Sequence, residues 1–241
     1  MVRFDFIKVE PSKTAEYLKL ESDWRKVHEV LRKKGKILRW MHYEVMLPSG
    51  SDAHHNFITV QIYKDYSALE NIVPDLAAAF AKVYPDRNFL EFLNKTDQVR
   101  NRVRTEIFRN IDGYWNPNAF FQHKYARADF MKTTTENTGA YIASEMNFWK
   151  PAHKMAIASG KLNGWQLCSK LYSADGDEYN RLTVNFFTDF AQSETRQSDF
   201  EGWLRKAHPN LTDKELMEKL LASLQLRSYH HSELIKLIDM L

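Results

Sequence analysis

Two sets of side chains have the types and spacing to do chemistry. Tyr17, Glu21, Trp24 and His28 follow one another at intervals of four, three and four, so on a helix they share a face. Tyr141, Glu145, Trp149 and His153 repeat the set with one more residue between Glu and Trp. Glutamate and histidine are the usual proton donors and acceptors near neutral pH, and either histidine is a candidate general base. Seven residues of helix rise about 10 Å, so Glu21 and His28 cannot share a metal ion unless the side chains lean together. The reading expected first for this face is structural, with Trp in a helix–sheet core and Glu and His bonding loop backbone. The longer second version, with Pro151 inside it, points to a bulged or kinked turn.

The second set lies on segments that alternate. Ile58, Val60 and Ile62 form a continuous apolar row suited to a helical layer, which sends Phe57, Thr59, Gln61 and Tyr63 the other way. Leu182, Val184 and Phe186 against Arg181, Thr183, Asn185 and Phe187 repeat this. The same rule turns Arg3, Asp5, Arg127 and Asp129 away from the helices, with Arg102, Arg104, Glu106, Tyr229, His231 and Glu233; for the strand of ambiguous parity, Trp40, His42 and Trp165 are assigned inward as well. The expected lumen has aromatic walls with acids, arginines and amides. Its candidate ligand-binding residues are Arg3, Asp5, Trp40, His42, Thr59, Gln61, Tyr63, Arg104, Glu106, Arg127, Asp129, Trp165, Thr183, Asn185, His231 and Glu233, and the helix-face candidates are Tyr17, Glu21, His28, Tyr141, Glu145 and His153. Buried charges of this kind must pair with each other or meet water and ligand. Paired ions would set strand register; a polar cavity among apolar walls would take a small organic molecule.

Other chemistry is poorly represented. His54-His55 and His230-His231 are neighbours that a strand would point to opposite faces, so neither pair chelates easily. The chain has no phosphate-binding glycine loop, no G-x-S-x-G elbow and no H-E-x-x-H. The single cysteine, Cys168, excludes an intramolecular disulfide and multi-cysteine metal sites. No metal site and no cofactor is read from these residues.

The elements that must position both sets occur twice. Arg3, Asp5, Phe6, Tyr17 and Glu21 meet Arg127, Asp129, Phe130, Tyr141 and Glu145 at an offset of 124; Trp24, His28, Gly35 and Trp40 meet Trp149, His153, Gly160 and Trp165 at 125. The offset returns to 124 for Asn56, Thr59, Val60 and Pro85, and reaches 127 where Arg100, Glu106 and Asp112 meet Arg227, Glu233 and Asp239. An ordered ladder of this length marks a tandem duplication. Repeat one covers 1–112 and repeat two 124–241, joined by a linker over 113–123 that starts within the turn former Asp112-Gly113 and contains Asn116-Pro117. In repeat one, strands are expected over 2–9, 36–46, 56–63 and 102–111, and helices over 15–34, 67–83 (interrupted by Pro74) and 89–98; repeat two follows suit, with Gly176 in its hairpin loop and an extra helix over 216–226.

Each repeat therefore reads as βαββαβ, the ferredoxin-like order, an α+β unit with its helices on one face of an antiparallel sheet. Two such units in one chain resemble the dimeric α+β-barrel superfamily. The resemblance implies an intramolecular pseudo-dimeric α+β barrel, monomeric or homodimeric. The stretch FDFIKVEPSKTAEYLKLESDWRKVHEVLRKKGKILRW also resembles a group of uncharacterised, often exported bacterial proteins, which implies a processed form lacking its leader. The apolar content of 44% allows a sizeable core, a formal charge of +3 is too weak to point to nucleic acid or an anionic membrane, and the longest purely apolar run, 76–81, is far below the roughly 20 residues of a membrane helix. The function expected first is small-molecule binding. The alternative is a cofactor-independent oxygenase or isomerase on an aromatic substrate, with His42, Asp5 or Glu106 as base and Trp40 against the substrate. A third, by resemblance to the chlorite dismutase group, is haem binding through His231; a fourth is a structural or interaction role.

Overall fold

Alternation in the first residues makes β1, Val2–Lys8, and Pro11 opens a short 3-10 turn that leads into α1, Thr14–Lys33. The helix stops where Gly35 takes a φ of +70°, a conformation that costs glycine little. β2, Arg39–Leu47, and β3, Phe57–Ile62, form an antiparallel hairpin. Pro74 lacks an amide hydrogen and is tolerated only in a first turn, so α2 begins at Ile72 and runs Ile72–Val83, preceded by a separate 3-10 turn at Ser67–Leu69. Asn88 caps α3, Phe89–Val99, by accepting from the backbone amides of Leu90 and Glu91, and β4, Asn101–Trp115, follows.

The same order recurs in β5 Tyr125–Lys132, α4 Thr138–Ser144, α5 Lys150–Ala158, β6 Gly164–Lys170, β7 Arg181–Phe187, α6 Gln197–Ala207, α7 Asp213–Gln225 and β8 Ser228–Met240. Between α4 and α5 the extra residue is absorbed as a π-helical turn, Glu145–Trp149, and Pro151 falls in the first turn of α5. This computed structural model describes residues 1–50, 53–172, 177–194 and 197–241; Gly176 lies outside them. Among the described residues no helix is long and apolar enough to cross a membrane.

The strands hydrogen-bond as a closed antiparallel barrel in the order β1-β3-β2-β8-β5-β7-β6-β4. Two units divide the chain: Met1–Phe108 with Leu237–Leu241, and Arg109–Lys236. β4 and β8 are thus each split between units, β4 extends three residues into the segment read as a linker, and the last five residues belong with the first unit. In the first unit, β1 pairs with β3 (Asp5 opposite Thr59) and with β4 (Phe4 opposite Glu106). In the second, β5 pairs with β7 (Asp129 opposite Thr183) and β8 (Ala128 opposite Glu233).

The helices of each unit pack on one face of its strands. In the first, Tyr17, Leu20, Trp24, Val27 and Leu31 of α1 meet Ile7, Trp40, Phe57 and Tyr63, with Phe80 and Phe92 behind them. In the second, Phe148, Trp149, Ala152 and Ile157 meet Phe187, Trp203, Leu204 and Leu216, while Tyr141 packs with Met131, Trp165 and Leu167. Trp115 ends β4 by stacking on Phe121 at 4.3 Å and leaning on Phe186 at 4.3 Å. Gly164 leaves room for its indole: a Cβ there would stand 2.5 Å from Trp115 Cε3. Gly164→Ala is therefore expected to lower stability by about 1–3 kcal/mol through overpacking. Gly202→Ala, inside α6 with nothing within 4 Å of an added Cβ, is expected to raise it by about 0.5–1 kcal/mol. Chemical denaturation measures both; equal effects of the two substitutions would contradict this packing.

Candidate functional site

A cavity of about 250 Å³ lies between the helices and strands of the first unit, lined by Arg3, Asp5, Glu21, Trp24, His28, Trp40, Thr59, Gln61, Thr96 and Arg100 among others. Its centre is a buried ion pair. Arg100, at the turn from α3 into β4, reaches Glu21 on α1; the glutamate is almost shut from water and the arginine largely covered. Burial pushes the Glu21 carboxyl up while the Arg100 guanidinium pulls it back; burial opposes the charge on Arg100, yet Glu21, Tyr17 and Asp5 hold it above its ordinary value. Beside this pair, Asp5 accepts from Arg3 at 3.0 Å and from Thr105 at 2.5 Å, and Arg102 stands 4.0 Å away.

The remaining polar groups of this cavity close on each other. Tyr63 donates to Gln61 Oε1 at 2.5 Å, and Gln61 Nε2 lies 3.4 Å from His28 Nε2. If that amide donates, the other ring nitrogen, Nδ1, carries the proton that reaches the Trp24 carbonyl at 2.8 Å. Trp24 Nε1 donates to Thr96 on α3 at 3.2 Å. Burial drives His28 down to about 4, so it is neutral at pH 7. His42 bonds Tyr17 at 3.0 Å between its Nε2 and the phenol, and burial, with Arg100 adding to it, takes it down to about 3.

The second unit has a cavity of about 220 Å³ lined by Arg127, Asp129, Glu145, Trp149, His153, Thr183, Asn185, Phe200 and Arg227. Eight of these occupy the positions that Arg3, Asp5, Glu21, Trp24, His28, Thr59, Gln61 and Arg100 hold in the first. Arg227 pairs with buried Glu145, Arg127 reaches Asp129 at 3.2 Å, and Ser232 donates to Asp129 as Thr105 does to Asp5. Burial, then the nearby Arg127 and Arg227, take His153 down to about 3.

These positions correct the expected facing. Arg3, Asp5, Trp40, His42, Thr59, Gln61 and Tyr63, with Arg127, Asp129, Trp165, Thr183 and Asn185, turn toward the helices of their own unit, where they meet Tyr17, Glu21 and His28 or Tyr141, Glu145 and His153. The all-apolar rows of Phe4, Phe6, Ile58 and Val60, or Ala126, Ala128, Phe130 and Leu182, take the other face. Parity misled because both faces of these strands are buried, as all seven residues of β7 show, so the more apolar row need not be the helical one. Arg104, Glu106, His231 and Glu233 do face away from the helices, registered with Phe6, Phe4, Phe130 and Ala128. A register shift at Phe6/Ile7 separates Arg104 from Arg102, which joins Asp5 instead.

Arg104 lies over the Phe6 ring at 4.0 Å and 3.4 Å from Glu106, and His231 stacks on Phe130 at 4.4 Å with its Nε2 3.4 Å from Glu233. Arg100 and Arg227 are not among the residues expected from alternation; their identity at offset 127, just ahead of each last strand, is the signal the sequence carries. Among the described residues no three His, Cys, Asp or Glu side chains converge as a metal site. Burial raises the Cys168 thiol to about 12, which leaves it a poor nucleophile.

No protein-family model and no curated protein matches the chain. Solved structures do match over nearly its whole length. A protein of Fusobacterium nucleatum subsp. nucleatum provisionally assigned as a monooxygenase aligns with a TM-score of 0.56 at 11% identity, covering 99% of this chain and 92% of its own. An anthrone oxidase-like protein gives 0.51 at 12%, covering 100% and 91%, and a provisionally assigned chlorite dismutase gives 0.52 at 12%, covering 99% and 94%. At these identities the likeness is one of fold: the chain has the α+β-barrel fold of these structures.

The buried histidines set an acid limit. Each has a folded-state pKa below the unfolded value near 6.5, so the unfolded chain binds more protons and stability falls as pH drops from about 6.5 toward 4. His42→Leu is expected to flatten that fall while remaining folded, because Leu167 holds the matching place on β6. Denaturation midpoints at pH 7.5 and 5.0 check it; an unchanged pH dependence in this variant would contradict the assignment.

Proposed function

We propose that this protein binds a small organic molecule in a helix–sheet cavity. The observation that carries this is recurrence: the same eight positions line a cavity in each unit, and each cavity combines an aromatic wall with a buried ion pair and further polar groups. Walls of that mixture are how small-molecule sites are built. Structures of similar fold include the anthrone oxidase-like protein and the provisional monooxygenase, which is compatible with an aromatic ligand but does not carry the reading.

An oxygenase or isomerase needs a base that touches the substrate. Of the three bases considered, Asp5 lines the cavity, His42 is turned to Tyr17, and Glu106 is on the other face of the sheet. Asp5 Oδ1 already accepts from both Arg3 and Thr105. For haem, His231 is a poor fit: Phe130 covers its ring, Tyr179 and His230 stand edge-on to it, and Nε2 faces Glu233.

The test is a thermal-shift and native mass-spectrometry screen of small aromatic and heteroaromatic compounds. A compound at 100 times its dissociation constant adds about 2.7 kcal/mol to the stability of the folded state. Asp5→Asn combined with Asp129→Asn is expected to abolish the shift of any hit, and Glu106→Gln combined with Glu233→Gln to preserve it. Hits insensitive to the first pair and lost in the second would place binding on the other face and contradict the proposal.

A further inference from the structure

The two cavities differ in one respect that bears on occupancy: the first satisfies its own polar atoms and the second does not. In the second, Trp149 Nε1, His153 Nδ1 and Asn185 Oδ1 are buried without a hydrogen-bond partner, although all three residues are more than nine-tenths buried and line the cavity. Their counterparts in the first unit are all engaged: Trp24 with Thr96, His28 with the Trp24 carbonyl, and Gln61 with Tyr63. A buried donor or acceptor left unpaired costs about 1–3 kcal/mol, so three around one space mark a place that a complementary molecule stabilises.

Each difference has a cause in the sequence. Phe187 stands where the first unit has Tyr63, so no hydroxyl reaches the Asn185 carbonyl oxygen. Asn185 is a methylene shorter than Gln61, and its amide nitrogen is spent on Asp129 at 3.4 Å instead of a histidine. The Glu145–Trp149 turn is π-helical, a feature that concentrates at functional sites, and it carries Trp149 and leads to His153. The charges around the space are already matched, Arg127 with Asp129 and Arg227 with Glu145, so the occupant need bring none.

We propose that the second-unit cavity is the ligand site and that its ligand is a neutral, single-ring aromatic molecule bearing a hydroxyl, while the polar groups of the first-unit cavity are already satisfied by one another. This rests on the small-molecule reading above. The ring lies against Trp149 and Phe200, whose own rings are 5.2 Å apart, and the hydroxyl accepts from the Trp149 indole and donates to Asn185. A volume of about 220 Å³ suits one substituted ring, since a cavity of about 150 Å³ holds benzene.

The probe is phenol, with toluene as the control of like shape, titrated into protein carrying ¹⁵N-labelled tryptophan and followed by the indole N–H signals. The Trp149 signal, identified by its loss in Trp149→Phe, is expected to shift saturably with phenol and at least tenfold more weakly with toluene, while the Trp24 signal stays still. Trp149→Phe and Phe187→Tyr are each expected to weaken phenol about tenfold, the first by removing a donor and the second by occupying Asn185. Should Phe187→Tyr fail to fold, Trp149→Phe, which keeps a ring in place, carries the comparison. A response at Trp24 alone, or equal affinity for toluene, overturns this inference and leaves the wider reading standing. Silence of both indoles, together with a library screen in which no hit depends on Asp5 or Asp129, overturns both.

Discussion

Glu21 and Arg100 sit against each other, the carboxylate shut from water and the arginine largely covered, and so do Glu145 and Arg227. Breaking such a pair by removing one partner leaves a buried charge, at a cost of about 3–5 kcal/mol, so whatever surrounds it must be polar or be another charge. That requirement explains why the side of each sheet facing the helices carries Asp5, Thr59 and Gln61, or Asp129, Thr183 and Asn185, while on the side turned away the apolar rows of Phe4, Phe6, Ile58 and Val60, or Ala126, Ala128, Phe130 and Leu182, are joined by charged groups from β4 and β8. It also ties α1 to the head of β4, and the π turn to the head of β8, by an interaction that bridges the two layers. Around such a bridge the helix cannot settle flush on the strands, and the space left over is the cavity.

The same constraint has been met differently in the two halves. In the first, an added hydroxyl (Tyr63), a longer amide (Gln61) and a threonine on α3 (Thr96) complete the network internally. In the second, phenylalanine, asparagine and a serine that bonds its own helix at Leu220 leave it open. None of these exchanges disturbs the aromatic frame: Trp40 and Trp165 each lie beside the matching histidine, tilted at 5.4 Å from His28 and stacked at 5.1 Å on His153. A scaffold repeated within one chain permits one copy to satisfy its polar groups internally while the other leaves them unpaired.

Much of this was legible in the residues. Element order, the paired strands and the shared face of Tyr17, Glu21, Trp24 and His28 follow from periodicity, and the one-residue slip between Glu145 and Trp149 foretold the π turn. The strand positions were grouped correctly into rows over the first three strands of each half; the face each row takes was not. Alternation reports which residues share a side but not which side meets helices when both are buried, and Asp5 gives no local sign that Thr105 and Arg102, from a strand far along the chain, join Arg3 around it. The bulges after Phe6 and Phe130 were equally silent, so Arg102 and Arg104 read as one row. Arg100 escaped notice as a site residue because, taken alone, an arginine at the end of a helix is ordinary; its meaning comes from Glu21, 79 residues away.

An open polar space lies beside Glu145 and Arg227, and crystals soaked with 4-bromophenol examine it most directly. The expected result is an anomalous bromine peak between the π turn and β7, with the phenol oxygen within hydrogen-bonding distance of Trp149 Nε1 and Asn185 Oδ1. Peaks confined to the protein surface, or lying against Phe130 and Val184 on the far face of the strands, would contradict it.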